Sequence, residues 1–308
     1  MRLFGISMLR NEADIVEAFV RHNLNVLDGI VVIDHQSEDG TGEILAHLRA
    51  EGLALRTIAD SAPGFFQAER LTELARNVLS DDAADFVFLL DADEFMHVES
   101  RQCLESALRD LPRAAHGLSR WGTYVPESFD TALGPGHFRW RREFDNSSPG
   151  KAFVGRSLLE RTSQYIVSGN HLVDDSSSPR PPPHVRLRAK ELTIAHVPVR
   201  TVPQLQKKIV IGYLAHLATR PTNDAQASHW RDLYREFRDG AEMPSSRLRE
   251  IACNYGLPRD QWLSSDVIKL VADPVRVDFE LRYAASPAPD ALRLLMRFTE
   301  SLLRTPNR

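Results

Sequence analysis

The clearest structural signal in the sequence is Phe86-Val87-Phe88-Leu89-Leu90-Asp91-Ala92-Asp93-Glu94. Its first five residues are all apolar, which is typical of a strand that is covered on both faces, as in a parallel sheet. Three carboxylates follow where that strand ends. Because open parallel sheets bind ligands at the carboxyl ends of their strands, the stretch predicts a buried strand with a ligand site at its end.

The residues before this strand alternate short apolar runs with segments of helical period, which predicts an α/β fold with a mostly parallel sheet flanked by helices. Further strands are predicted at 3–8, 30–33 and 53–58, and helices at 14–25, 42–51 and 65–79. After residue 203 the pattern becomes helical. We therefore predict a sheet domain over residues 1–202 and a helical C-terminal region over 203–308.

Composition narrows the class of protein. Of the 308 residues, 43% are apolar and 26% are charged, as in soluble globular proteins. The net charge of −4 provides no positive field for a nucleic-acid partner, so none is expected. Cys103 and Cys253 cannot build a disulfide framework, which favours a reducing, cytoplasmic location. No apolar run approaches the roughly 20 residues of a membrane helix, so at most a peripheral membrane contact is expected.

Asp91 and Asp93 are the strongest chemical signal. Two carboxylates two residues apart, on backbone that leaves a strand, can turn toward one hard cation while a bound diphosphate supplies further oxygen ligands. Crowded carboxylates repel one another unless a cation joins them. The alternative is a solvated acidic turn. The pattern favours a site for a hard cation, as a nucleotide-sugar enzyme needs.

Polar residues also follow the first two predicted strands. Asp34 and the turn at 37–41 come after the second strand, and Asn11 and Glu12 come after the first. At the same edge of a parallel sheet, these side chains can bind a ribose or a base edge. The alternative is a capped helix start with incidental acidic residues.

Three segments resemble the family 2 glycosyltransferases: Met8-Leu9-Arg10-Asn11-Glu12, Val32-Ile33-Asp34-His35-Gln36-Ser37-Glu38-Asp39-Gly40-Thr41 and Phe88-Leu89-Leu90-Asp91-Ala92-Asp93-Glu94-Phe95. More narrowly, they are similar to a bacterial branch with an RNE segment and a DADEF motif. The resemblance is strong to about Phe95, weaker to about Gly212 and absent from the helical tail. It implies a GT-A fold and a metal-dependent, inverting hexosyltransferase.

The reaction that the resemblance implies uses a nucleotide-diphospho-sugar, most often UDP-linked, as the donor. The acceptor would be a hydroxyl of a glycan or of a lipid-linked molecule in polysaccharide biosynthesis. Carried onto this chain, the resemblance places these residues at the nucleoside or phosphates: Asn11, Glu12, Asp34, Asp39, Arg70 and Asp91. An Arg on a helix is more often simply solvated, and that alternative stays open for Arg70.

The resemblance also implies a binding site for a divalent metal, Mn²⁺ or Mg²⁺. Asp93 would be its principal carboxylate, Asp91 would face the ribose or the metal, and His196 would complete it, although His196 also suits a buried core position. His171 is a candidate for contact with phosphate or acceptor, and a hydrogen-bonded core position is the alternative that the sequence favours. The candidates for neutralising the diphosphate are Lys151, Arg156, Arg200 and Lys207.

An inverting transfer needs a general base for the acceptor hydroxyl. The middle of the chain offers four carboxylates, Glu143, Asp145, Asp174 and Asp175, with Glu127 and Asp130 as further choices. Asp174 and Glu143 are the predicted catalytic residues, and the sequence does not rank them.

Two other functions are compatible with the pattern. A nucleotidyltransferase acting on sugar phosphates also uses strand-end carboxylates, but the chain lacks a Gly-rich loop with a Lys near its N-terminus. A non-catalytic sugar-nucleotide binder is the other alternative. The helical region is expected to pack against the sheet domain, to form a homodimer or to wall the acceptor site, and its Arg-rich faces suit an anionic membrane surface.

Overall fold

The computed structural model describes residues 1–62, 64–144, 150–156, 159–219, 228–278, 280–283 and 291–304. The strands are β1 (Leu3–Leu9), β2 (Gly29–Asp34), β3 (Leu55–Ala59), β4 (Phe86–Leu89), β5 (Glu94–His97), β6 (His116–Leu118), β7 (Arg120–Thr123), β8 (Trp140–Arg142), β9 (Ala152–Gly155), β10 (Gln164–Ile166), β11 (Val173–Asp175), β12 (His184–Arg186), β13 (Thr193–His196) and β14 (Leu270–Ala272). The α-helices are α1 (Val16–Asn23), α2 (Thr41–Ala50), α3 (Gln67–Asp81), α4 (Arg101–Arg109), α5 (Val202–Ala218), α6 (Ser228–Arg238), α7 (Ser245–Asn254) and α8 (Ala291–Arg304).

The central sheet has seven strands in the order β12-β6-β9-β4-β1-β2-β3. Strand β1 pairs in parallel with β2 and β4, β2 with β3, and β12 with β6. Strand β9 runs antiparallel to both of its neighbours. The predicted α/β fold with a mostly parallel sheet is therefore confirmed. A separate three-stranded sheet has the order β5-β13-β7.

Helices cover both faces of the central sheet. Successive side chains of a strand point to opposite faces, so β1 contributes Leu3 to one apolar cluster and Ile6 to another. The first cluster includes Phe19 of α1 and Leu45 of α2, and the second includes Leu74 of α3. Because each face is apolar, the strands carry the continuous apolar runs from which they were predicted.

Gly117 of β6 marks the tightest approach between strands. A Cβ there would lie 1.9 Å from the ring of Phe153, which is 1% exposed and stacks on Phe88 with 5.0 Å between ring centroids. The ring cannot retreat without losing that packing, so we expect Gly117→Ala to lower the free energy of unfolding by about 1–3 kcal/mol in urea denaturation.

Gly134→Ala is the matched control for Gly117→Ala. Its added Cβ would meet its nearest neighbour, the carbonyl oxygen of Ala132, at 3.7 Å, which is ordinary van der Waals contact. Its backbone is extended, with φ of −162°, so alanine introduces no strain there. Equal unfolding midpoints for the two variants would contradict the close packing of β6 on Phe153.

The helical C-terminal region shares a core with the residues before it. Val125 and Val199 belong to the same apolar cluster as Leu205 and Ile209 of α5. Apolar packing therefore crosses the predicted boundary between residues 202 and 203. The division into two domains stays a prediction. In the part of the chain that the structure describes, no helix is both long enough and apolar enough to cross a membrane.

Candidate active site

A cavity of about 480 Å³ lies where β1 and β4 end. The two strands are parallel neighbours, so the residues that follow them meet at the same edge of the sheet. The other walls come from α5, from the end of β13 and from the segment 168–171. Seven of the predicted site residues line this cavity: Asn11, Glu12, Asp91, Asp93, His171, His196 and Lys207.

Asp93 is the most deeply buried carboxylate of this lining, with 2% of the residue exposed. Its Oδ2 contacts the ammonium of Lys208, lies 3.6 Å from Nε2 of His196 and 4.0 Å from Nη1 of Arg200. Burial alone would raise the pKa of Asp93, but Lys208 and His196 hold it well below its ordinary value. Asp93 is therefore ionised and is already balanced by a cation.

Asp91 has a cation of its own. Nζ of Lys151, which is 2% exposed, lies 2.6 Å from Asp91 and 3.2 Å from Oε1 of Glu94, and it donates to the carbonyl of Gly169 at 3.2 Å. Nδ2 of Asn170 donates to the other oxygen of Asp91 at 3.2 Å. Burial raises the pKa of Glu94 well above its ordinary value. Lys151 thus ties the 169–170 backbone to the acidic strand end.

Arg200 binds the acidic turn after β1. Its guanidinium is 2% exposed and lies 2.6 Å from Glu12 and 2.6 Å from Asp14. Burial raises the pKa of Glu12. Burial would also raise the pKa of Asp14, but Arg200 and Lys207 lower it below its ordinary value. Arg200, on the segment that joins β13 to α5, and Lys207 of α5 therefore bring buried cations to the acidic turn after β1.

Asp39 has a structural position rather than a place in the cavity wall. Its carboxylate accepts hydrogen bonds from the backbone N–H groups of Ala13 at 3.2 Å and Thr41 at 3.1 Å. Lys207 lies 2.9 Å from the same carboxylate. These contacts fix the start of α2 against the turn after β1, and the nucleoside role of Asp39 stays a prediction.

Asp34 and Arg70 also lie off the described cavity lining. Oδ1 of Asp34 accepts a hydrogen bond from the backbone of Ser37 at 3.0 Å, which shapes the turn after β2. The side chain of Arg70 is 42% exposed and pairs with Asp60 at 3.0 Å. The solvated alternative for Arg70 thus matches its placement, and the predicted donor roles of both residues have no support from the geometry.

The predicted catalytic carboxylates lie elsewhere. Asp174 of β11 accepts a hydrogen bond from the Tyr165 hydroxyl at 3.1 Å, and Glu143 pairs with Lys269 at 2.7 Å. Neither is among the described residues that line the cavity. Asp145 lies outside the described residues. The geometry gives no support to Asp174 or Glu143 as the base, because a local partner binds each carboxylate away from the cavity.

An aromatic wall was missed by sequence reasoning. The Trp121 ring lies 4.3 Å from the ring of His196 and 5.3 Å from that of His171, measured between centroids. Tyr255 lies 5.7 Å from His196 and 5.4 Å from Nζ of Lys208. Lys208 was also missed, although a lysine in the apolar segment that forms α5 was an available signal.

His171 and His196 are neutral in the cavity wall. Burial lowers the pKa of His196, against the opposing effect of Asp93. Burial, assisted by the charge of Lys151, lowers the pKa of His171 to about 4. Neutral imidazole is the form that ligates a metal or accepts a proton. Both rings are therefore in a protonation state suited to chemistry.

Asp93 and His196 fit a divalent cation. Their facing atoms are 3.6 Å apart, which is too long for a hydrogen bond and suits two donors to one ion. Carboxylate and imidazole suit Mn²⁺, whereas Asp91 is turned to Lys151. The described residues contain no cluster of three or more His, Cys, Asp or Glu that could hold a metal. The protein thus offers two donors, fewer than a complete metal shell.

No protein-family model and no curated protein matches the sequence. One similar solved structure is the mannosyltransferase PcManGT from Pyrobaculum calidifontis in complex with GDP-Man and Mn²⁺, with 17% identity over 99% of this chain and 81% of that one and a TM-score of 0.44. Another is glucosyl-3-phosphoglycerate synthase from Mycobacterium tuberculosis with Mn²⁺, UDP and glucosyl-3-phosphoglycerate, with 17% identity over 39% of this chain and 44% of that one and a TM-score of 0.27. Neither structure is close enough to assign an activity to this chain.

Proposed function

We propose that the chain is a GT-A-type glycosyltransferase that moves a sugar from a nucleotide-diphospho-sugar to a hydroxyl group. The observation that carries the proposal is the cavity at the ends of β1 and β4, where Lys208 contacts the ionised Asp93 and Lys207 also lines the wall. Such cations neutralise the charge that develops on a leaving diphosphate. A volume of about 480 Å³ is within the usual range for a small-molecule site.

Asp93 and His196 would hold Mn²⁺ or Mg²⁺ in this proposal. When bound, the cation would supply further neutralisation of the leaving diphosphate. The protein also supplies cations of its own, which do not depend on the metal. Lys208 contacts Asp93, and Lys151 pairs with Asp91 and donates to the backbone carbonyl of Gly169. The cavity is therefore preorganised for an anionic donor by protein groups.

The finer parts of the proposal are supported by the family resemblance alone. They are a UDP-linked hexose donor, inversion at the anomeric carbon, and a glycan or lipid-linked acceptor in polysaccharide biosynthesis. Discrimination among sugars and nucleotides depends on a few contacts worth about 1–3 kcal/mol each. A donor screen therefore comes before any acceptor assay.

We expect a thermal-shift screen to identify the donor. UDP-, GDP- and dTDP-linked sugars are tested with and without Mn²⁺, and a ligand at 100 times its Kd should stabilise the fold by about 2.7 kcal/mol. In Asp93→Asn the Mn²⁺-dependent part of the shift should disappear, because the variant keeps the size of the side chain and loses its charge.

Asp239→Asn is the matched control for Asp93→Asn. The Asp239 side chain is 63% exposed and pairs with Arg238 on the surface, so the donor shift should be unchanged. A donor that binds but yields no free nucleoside diphosphate and no transfer product would favour the non-catalytic binder. No shift from any donor would contradict the proposed function.

A further inference from the structure

His171 lies in the cavity wall on a segment of fixed backbone. Asn170 and Gly169 before it have φ angles of 64° and 87°, in the left-handed region. Asn170 bonds to Asp91 through its side chain, and the carbonyl of Gly169 accepts from Lys151. The position of the imidazole is therefore set by the same contacts that order the acidic strand end.

The tautomer of His171 follows from one hydrogen bond. Its Nδ1 lies 2.8 Å from the carbonyl oxygen of Gly150. A carbonyl oxygen only accepts, so Nδ1 carries the proton and Nε2 of the neutral ring holds a lone pair. Within the described part of the chain, Nε2 has no hydrogen-bond partner. The ring thus presents an unused proton acceptor at the cavity wall.

The ring is also held by packing. Trp121 lies 5.3 Å away between centroids, at an interplanar angle of 53°. A Cβ on Gly169 would lie 2.9 Å from Cδ2 and 3.2 Å from Nε2 of His171, so a side chain at that position would crowd the acceptor nitrogen. A catalytic group held in one orientation in this way is preorganised for its task.

The carboxylates that line the cavity are each paired with a buried cation. Lys208 contacts Asp93, Lys151 lies 2.6 Å from Asp91, and Arg200 lies 2.6 Å from Glu12. Each of these carboxylates is thus engaged by a charged partner, whereas Nε2 of His171 is not. Among the described carboxylates that line the cavity, none lacks such a partner.

In two other histidines of the cavity lining, His35 and His196, it is Nε2 that faces an oxygen atom. Nε2 of His35 lies 2.6 Å from the carbonyl oxygen of Ala62, and its ring is 1% exposed. Nε2 of His196 faces Asp93 at 3.6 Å. His171 differs from both because it is half-buried, whereas His35 and His196 are 1% and 3% exposed.

We infer that His171 is the general base of the transfer, an inference that rests on the proposed function. Nε2 takes the proton of the acceptor hydroxyl while the hydroxyl oxygen forms a bond to the anomeric carbon. The bond from that carbon to the diphosphate oxygen breaks, and its electron pair leaves with the nucleoside diphosphate. His171 then returns the proton to solvent.

The test uses water as the acceptor and UDP-glucose and GDP-mannose as the donors. Release of UDP or GDP is measured beside donor binding by calorimetry. In His171→Asn the amide can still donate to Gly150, but no group replaces Nε2. We expect His171→Asn and His171→Ala to lose about 10²- to 10⁴-fold in turnover with donor affinity unchanged, and added imidazole to restore part of the rate of His171→Ala.

His22→Gln is the matched control for these variants. Nε2 of His22 lies 2.8 Å from the carbonyl oxygen of Met96, and His22 is not among the described residues that line the cavity. The turnover of His22→Gln should therefore equal that of the wild type. If His171→Asn releases nucleoside diphosphate at the wild-type rate, the imidazole has only a structural role. That result would overturn the assignment of His171 as the base and would leave the proposed function intact. Weaker donor binding without imidazole rescue would also overturn it. A wild-type protein that binds neither donor, or releases no nucleoside diphosphate, would overturn the proposed function with it.

Discussion

Replacing Arg200 by methionine is expected to lower the free energy of unfolding by about 3–5 kcal/mol. The guanidinium is 2% exposed and lies 2.6 Å from both Glu12 and Asp14. Methionine fills much of the same volume but leaves two carboxylates without their main cation. Lys207, at 3.9 Å from Asp14, is the nearest remaining one. Urea denaturation at pH 7 measures the loss.

Arg238→Met is the control for Arg200→Met. Arg238 pairs with Asp239 on the surface, where the two side chains are 58% and 63% exposed, so its loss should cost less than about 1 kcal/mol. Equal losses in the two variants would contradict the buried ion-pair cluster.

The loss in Arg200→Met should also depend on pH. Burial raises the pKa of Asp14, but Arg200 and Lys207 lower it below its ordinary value of 3.8. A depressed carboxyl pKa stabilises the fold above that ordinary value, and the stabilisation is lost as the pH falls through the folded-state pKa. The difference between wild type and Arg200→Met should therefore be larger at pH 7 than below pH 4.

Much of the fold follows from local sequence patterns. The apolar runs at 30–33 and 86–90 became β2 and β4, because strands covered on both faces need continuous apolar sequence. Asn11 and Asp93 came together for the same reason, since they follow parallel neighbours. Local pattern plus the geometry of a parallel sheet is sufficient for this part of the site.

The rest of the site depends on contacts between distant residues. Lys151 reaches Asp91 across 60 positions, and Lys208 reaches Asp93 across 115. Such pairs have no local period, so the sequence analysis expected a metal to balance the carboxylates. It assigned Lys151 to the diphosphate rather than to Asp91, and it did not name Lys208. The tautomer of His171 likewise depends on the carbonyl of Gly150, 21 positions away. Sequence alone indicated carboxylates as bases because it shows residue types without their partners.

Replacing Lys208 by methionine is expected to slow the release of UDP or GDP from a bound donor by about 10²- to 10³-fold. The ammonium lines the cavity and contacts Asp93, so it lies where the charge of a leaving diphosphate would develop. Lys269→Met is the control, because the Lys269 side chain is 70% exposed and pairs with Glu143 away from the cavity lining. Equal rates for the two variants would contradict a role for Lys208 in neutralising the leaving group.

The affinity for Mn²⁺ distinguishes two roles of Lys208. Its ammonium contacts the same oxygen of Asp93 that faces His196, so a divalent cation at this pair would compete with it. If Lys208 neutralises the leaving group, Lys208→Met should bind Mn²⁺ more tightly in calorimetry while releasing nucleoside diphosphate more slowly. If Lys208 only orients Asp93, its removal should weaken Mn²⁺ binding and turnover together, as Asp93→Asn should. We expect the first result, because Asp93 is buried and His196 and Arg200 still hold it when Lys208 is absent.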